Sequence, residues 1–225
     1  MTLENDIRIG TTQAKNQDWA NLGYYEQQNK QLTKPSENGK RIVFIGDSIT
    51  EEWGHLYSEF FSNNLYINRG IGGQTTPQIL IRFKPDAIDL YPDVINIFAG
   101  TNDIAGNTGL STVKMITDNI FTMAEVAIMK NIKVIISSIL PVKNYPWSED
   151  ITDAPSKINS INEIIKEYVN NNNLFYIDYF SHMVDKNEGL KSKYTYDGVH
   201  PNKAGYKKMS GVAEKIILQA TGQID

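Results

Sequence analysis

The sequence predicts an α/β fold in which a five-stranded parallel sheet is covered on both faces by helices. Short apolar runs recur near 41–45, 65–68, 93–99, 132–138 and 174–178. Longer segments of helical period fall between them, and strand–helix–strand repetition places the strands parallel. With 225 residues, 40% of them hydrophobic, the chain can bury one large core.

Residues 1–40 read as a polar segment followed by a packing helix. The first 17 residues are polar, and from there Trp19, Leu22, Tyr25 and Leu32 fall roughly on a helical period that Pro35 and Gly39 end. Residues 41–225 read as one domain. Its helices are expected near 55–62, 77–84, 111–130, 156–171 and 202–220. The clearest is the third, where Val113, Ile116, Ile120, Met123, Ala124 and Ala127 trace one buried face.

Composition narrows the chemistry. A net charge of −4, with no basic stripe, argues against a nucleic-acid partner. No run of 18 apolar residues suggests membrane insertion, and no export signal is evident, so the expected compartment is the cytoplasm. Cysteine is absent, which removes thiolate nucleophiles and Cys-based metal sites. Three scattered histidines lack ligand spacing. No metal or cofactor is implied, which leaves hydroxyl, carboxylate and imidazole.

Those groups collect where ligands bind in an open parallel sheet, beyond the carboxyl ends of the strands. Ser48 follows the first strand in Gly46-Asp47-Ser48, Gly70-Ile71-Gly72-Gly73 follows the second, Gly100-Thr101-Asn102-Asp103 the third, and Asp197-Gly198-Val199-His200 lies after the fifth. A serine hydroxyl needs a base, which His200 can provide, and the imidazole needs a carboxylate to hold its tautomer, which Asp197 can provide. The oxyanion of a tetrahedral intermediate needs preorganised donors. The backbone N–H groups of Ser48 and Gly73 and the side-chain amide of Asn102 are the candidates. Taken singly, each motif reads as an ordinary turn or helix cap; their joint occurrence at strand ends favours a serine hydrolase. His55 and His182 read as structural, and Asp178, a rival partner for His200, reads as a cap.

The four blocks resemble the GDSL esterase and lipase family, also called SGNH hydrolases, within it most nearly the branch of the platelet-activating-factor acetylhydrolase catalytic subunits. The residues carrying this are Gly46-Asp47-Ser48-Ile49, Asn68-Arg69-Gly70-Ile71-Gly72-Gly73, Gly100-Thr101-Asn102-Asp103 and Asp197-Gly198-Val199-His200-Pro201. The resemblance implies a three-layer α/β/α sandwich of flavodoxin-like type, with Ser48, Asp197 and His200 as the triad and Ser48, Gly73 and Asn102 as oxyanion donors. It implies a small-molecule ester substrate, with a short acyl group such as acetyl as the expected load. An acetylated sugar, a lysophospholipid, acyl transfer and a non-catalytic glycan- or lipid-binding role are the alternatives. Asp47, Trp53 and Trp147 are expected to line the pocket.

Overall fold

The computed structural model describes residues 18–35, 39–63 and 65–224. The polar segment expected over the first 17 residues lies outside them. Five parallel strands form one sheet: β1 (Ile42–Gly46), β2 (Tyr66–Gly70), β3 (Val94–Phe98), β4 (Lys133–Ser137) and β5 (Phe175–Ile177), in the order β2-β1-β3-β4-β5. Every residue of β1 and β3 is buried, as expected of strands covered on both faces. The order reverses at β1 and β3, which opens a crevice at their carboxyl ends.

Side-chain alternation along β1 divides the core. Val43 and Ile45 pack on one side with the buried faces of α3 (Thr76–Asp86), α5 (Val113–Met129) and α6 (Ala154–Asn171). Ile42 and Phe44 pack on the other with α2 (Ser48–Leu56) and α8 (Lys203–Ala220). The buried series Ile116, Ile120, Met123, Ala124 and Ala127 on α5 is the face its period predicted. Two short helices complete the site end, α4 (Thr101–Ile104) and α7 (Tyr179–Met183).

Two expectations fail at the amino-terminal side. The packing helix shrinks to α1 (Glu26–Gln31), and Trp19 and Leu22 are exposed instead of lying on a buried face. The helix expected over 55–62 starts seven residues earlier, at Ser48, and is followed by a single 3-10 turn over Ser58–Phe61. The start is set by Asp47, whose side chain accepts from the Ile49 N–H at 3.0 Å as an N-cap. Ile49 and Trp53, four residues apart, then face the core together. Glycine lets this helix lie close to the sheet: a Cβ on Gly70 would sit 2.1 Å from the Glu51 backbone nitrogen.

Candidate active site

Ser48 is the first residue of α2, separated from β1 only by Asp47, so its N–H has no intrahelical acceptor. Its Oγ lies 3.0 Å from His200 Nε2, across 152 residues of sequence. His200 Nδ1 lies 2.7 Å from Asp197 Oδ2. The three expected triad residues therefore form one hydrogen-bonded line.

The Asp197–His200 loop holds itself in shape. Asp197 Oδ1 accepts from the backbone N–H of Val199 at 2.9 Å and of His200 at 2.7 Å, which leaves Oδ2 for the imidazole. Thr195 Oγ1 accepts from the Gly198 N–H and donates to the His200 carbonyl. Gly198 takes φ +90°, and Val199 is buried in the core. Burial pulls the Asp197 carboxyl upward, but the His200 side chain and the His200 and Val199 N–H groups outweigh it and hold it below the usual range. Because the ionised Asp197 accepts from Nδ1, the Nε2 lone pair is left facing Ser48.

Gly73 follows β2 at φ +73°, a left-handed conformation that glycine tolerates. No hydrogen bond among the described residues claims its N–H. Asn102 lies on α4, after β3, and is buried. Its Nδ2 donates one hydrogen to the Gln74 carbonyl at 3.0 Å, and its second hydrogen is unclaimed among the described residues. The loop carrying Gly73 is tied to the loop carrying Asn102 through Asp103, whose carboxylate accepts from Thr76 N at 2.9 Å and from Thr76 Oγ1 at 2.6 Å. Burial raises the Asp103 carboxyl to about 6 against the pull of those Thr76 bonds. Arg82, fully buried, spans the floor by donating to the Gly46 carbonyl, to Gln74 Oε1 and to Asp86.

Of the three residues expected to line the pocket, only Trp147 is exposed beside the His200 ring. It is 45% exposed, with its ring 5.8 Å from that of His200. Trp53 is a correction: it is fully buried, stacked on Phe60 at 4.7 Å, with its Nε1 donating to Ser210 Oγ. It points inward because the helix begins at Ser48, which puts position 53 on the sheet-facing side. Asp47 is also corrected from pocket wall to cap. Its buried carboxyl is raised to about 7 by desolvation, against the Ile49 N–H and the field of His200.

His55, in the last turn of α2, is exposed, and His182 lies in the last turn of α7; neither joins the line through Ser48. Asp178 caps α7 by accepting from the Ser181 N–H and does not reach His200. Sequence reasoning missed two neighbours of the site. Tyr196 stacks on the His200 ring at 5.8 Å and 10°, with its hydroxyl donating to Glu52. Asn107 hydrogen-bonds both Asn102 and Gly73. Adjacency to Asp197 was the only signal for the first, and nothing in the sequence marked the second.

Among the described residues, no group of three or more His, Cys, Asp or Glu is arranged to hold a metal ion, and no helix is long and apolar enough to cross a membrane. Residues 44–208 match the GDSL-like lipase/acylhydrolase family. The human platelet-activating factor acetylhydrolase IB subunit alpha2 is 24% identical over 206 residues, which cover 87% of this chain and 84% of that one. A candidate acylhydrolase from Bacteroides fragilis superposes with a TM-score of 0.89 at 46% identity, covering 90% of this chain and 98% of that one. A GDSL-like lipase from Bacteroides thetaiotaomicron gives 0.88 at 43%, covering 90% and 100%. A Ser–His–Asp line at the carboxyl edge of a parallel sheet, on a chain matched over these lengths, makes this protein a carboxylic ester hydrolase of the GDSL-like lipase/acylhydrolase family.

Proposed function

We propose that this protein hydrolyses small acyl esters, acetyl above all, through an acyl-serine intermediate on Ser48. The observation that carries the reading is the unbroken run from Ser48 Oγ through both nitrogens of His200 to Asp197. The Ser48 hydroxyl gives its proton to Nε2 as Oγ attacks the ester carbonyl, and Asp197 steadies the resulting imidazolium. Negative charge then develops on the former carbonyl oxygen. The N–H groups of Ser48 and Gly73 and the free Asn102 hydrogen meet it, each such donor being worth roughly 2.7–4 kcal/mol in the protease precedent. Collapse of the intermediate breaks the ester C–O bond, and the imidazolium returns its proton to the departing alkoxide. Water then repeats the sequence on the acyl-serine and releases the acid.

The acetyl preference draws support from the curated relatives, whose name specifies an acetylhydrolase. Trp147 and Tyr196, both exposed and each with its ring 5.8 Å from that of His200, favour a second reading of the leaving group as a saccharide. Apolar sugar faces stack on such rings.

The test is hydrolysis of p-nitrophenyl esters from acetate to palmitate by wild type and Ser48→Ala. Activity concentrated on short chains and abolished in the variant is expected. Retained activity in Ser48→Ala would overturn the reading, and a preference for long chains would overturn its acetyl part.

A further inference from the structure

We propose that Asn107 is a positioning residue that sets the orientation of both oxyanion donors contributed from outside α2. The proposal rests on the assignment of Asn102 and Gly73 as those donors. Asn107 Nδ2 donates to Asn102 Oδ1 at 3.0 Å and to the Gly73 carbonyl at 3.2 Å, and Asn107 Oδ1 accepts from Trp147 Nε1 at 3.2 Å. The Asn107 backbone N–H also donates to the Asn102 carbonyl at 3.0 Å.

The polarity of this network is fixed at its ends. An indole Nε1–H can only donate, so Asn107 must turn its oxygen towards Trp147 and its nitrogen towards Asn102 and Gly73. The Gly73 carbonyl can only accept, which enforces the same orientation. Asn102 must then face Asn107 with its oxygen, and the Gln74 carbonyl, also acceptor-only, claims one hydrogen of its nitrogen. One N–H of Asn102 is left to point elsewhere. Without Asn107, the two ends of the Asn102 amide are nearly isosteric, and only the Gln74 carbonyl, which accepts from Nδ2 and would repel the oxygen, is left to oppose a flip. The flipped amide presents a carbonyl oxygen to a developing oxyanion, which repels it. The bond to the Gly73 carbonyl also holds a glycine at φ +73° that has no side chain of its own to anchor it.

Asn107 is exposed, so replacing it leaves the core untouched. Asn107→Ala removes the donor, and Asn107→Asp keeps the shape while replacing the donor with acceptors. With p-nitrophenyl acetate, both are expected to lower kcat about ten- to a hundredfold, part of the hundred- to thousandfold loss on removing an oxyanion donor outright, with KM within about twofold. In an Asn102→Ala background, Asn107→Ala should lower kcat by clearly less than it does alone, because only the Gly73 loop is left for it to hold. Trp147→Phe, which keeps a ring and loses the Nε1 donor, should show a smaller loss of the same kind. A single Asn107→Ala variant within twofold of wild type, a change confined to KM, or an equal effect with and without Asn102 would overturn the proposal. An inert Asn102→Ala beside an inactive Ser48→Ala would overturn it at its premise while sparing the acyl-serine reading, whereas an active Ser48→Ala would remove that reading itself.

Discussion

Asp47→Asn should make the protein more stable at alkaline pH while leaving acid stability nearly unchanged. The Asp47 side chain is 2% exposed, its Oδ1 caps α2 through the Ile49 N–H, and burial raises its carboxyl from 3.8 to about 7. Between those values the folded state holds a proton that the unfolded state has released, so stability falls as pH rises through the window. The contribution is complete below 3.8 and lost above about 7. The gap between 3.8 and about 7, at 1.36 kcal/mol per pH unit, amounts to about 4 kcal/mol at pH 8, an upper limit because relaxation and water entry soften a buried charge. Asparagine retains the capping oxygen and is neutral throughout. For a chain of this size 1 kcal/mol moves Tm by about 2–4 °C. The gain of Asp47→Asn over wild type, followed by circular dichroism from pH 4 to 8, should therefore grow from near zero towards at most about 8–16 °C. A difference that stays flat with pH, or a variant less stable at pH 8, would refute the reasoning.

Two further outcomes follow from the placements above. Asn102→Ala should lower kcat by about a hundredfold to a thousandfold with little change in KM, since the oxyanion exists only near the transition state; steady-state kinetics on p-nitrophenyl acetate would show it, and a change in KM alone would make Asn102 a substrate contact. Trp53→Ala should cost about 3–5 kcal/mol in urea unfolding, the usual range for emptying a buried aromatic site, with the ester preference of the surviving folded fraction unaltered; a stable variant with altered chain-length preference would return Trp53 to the pocket.

The sheet was legible because fully buried parallel strands write themselves as apolar runs, and β1 and β3 contain little else. The placement of the candidate site was legible because Ser48, Gly73 and Asn102 follow closely after strands and His200 lies just before a helix, where local sequence and three-dimensional position coincide. Trp53 was misplaced for a local reason: Asp47 serves as an N-cap, so α2 starts at Ser48 and turns position 53 inward. The first helix was overestimated because Trp19 and Leu22 match a helical period without being buried. Asn107 could not be read from sequence, since its role depends on partners 34 and 40 residues away whose polarity only the folded arrangement fixes.

The central claim is that Ser48 becomes acylated, and intact-protein mass spectrometry after exposure to a fluorophosphonate ester tests it directly. One phosphonyl adduct on wild type, mapped by peptide digestion to Ser48 and absent from Ser48→Ala, is the expected result. An adduct on another residue, or equal labelling of both proteins, would contradict the account.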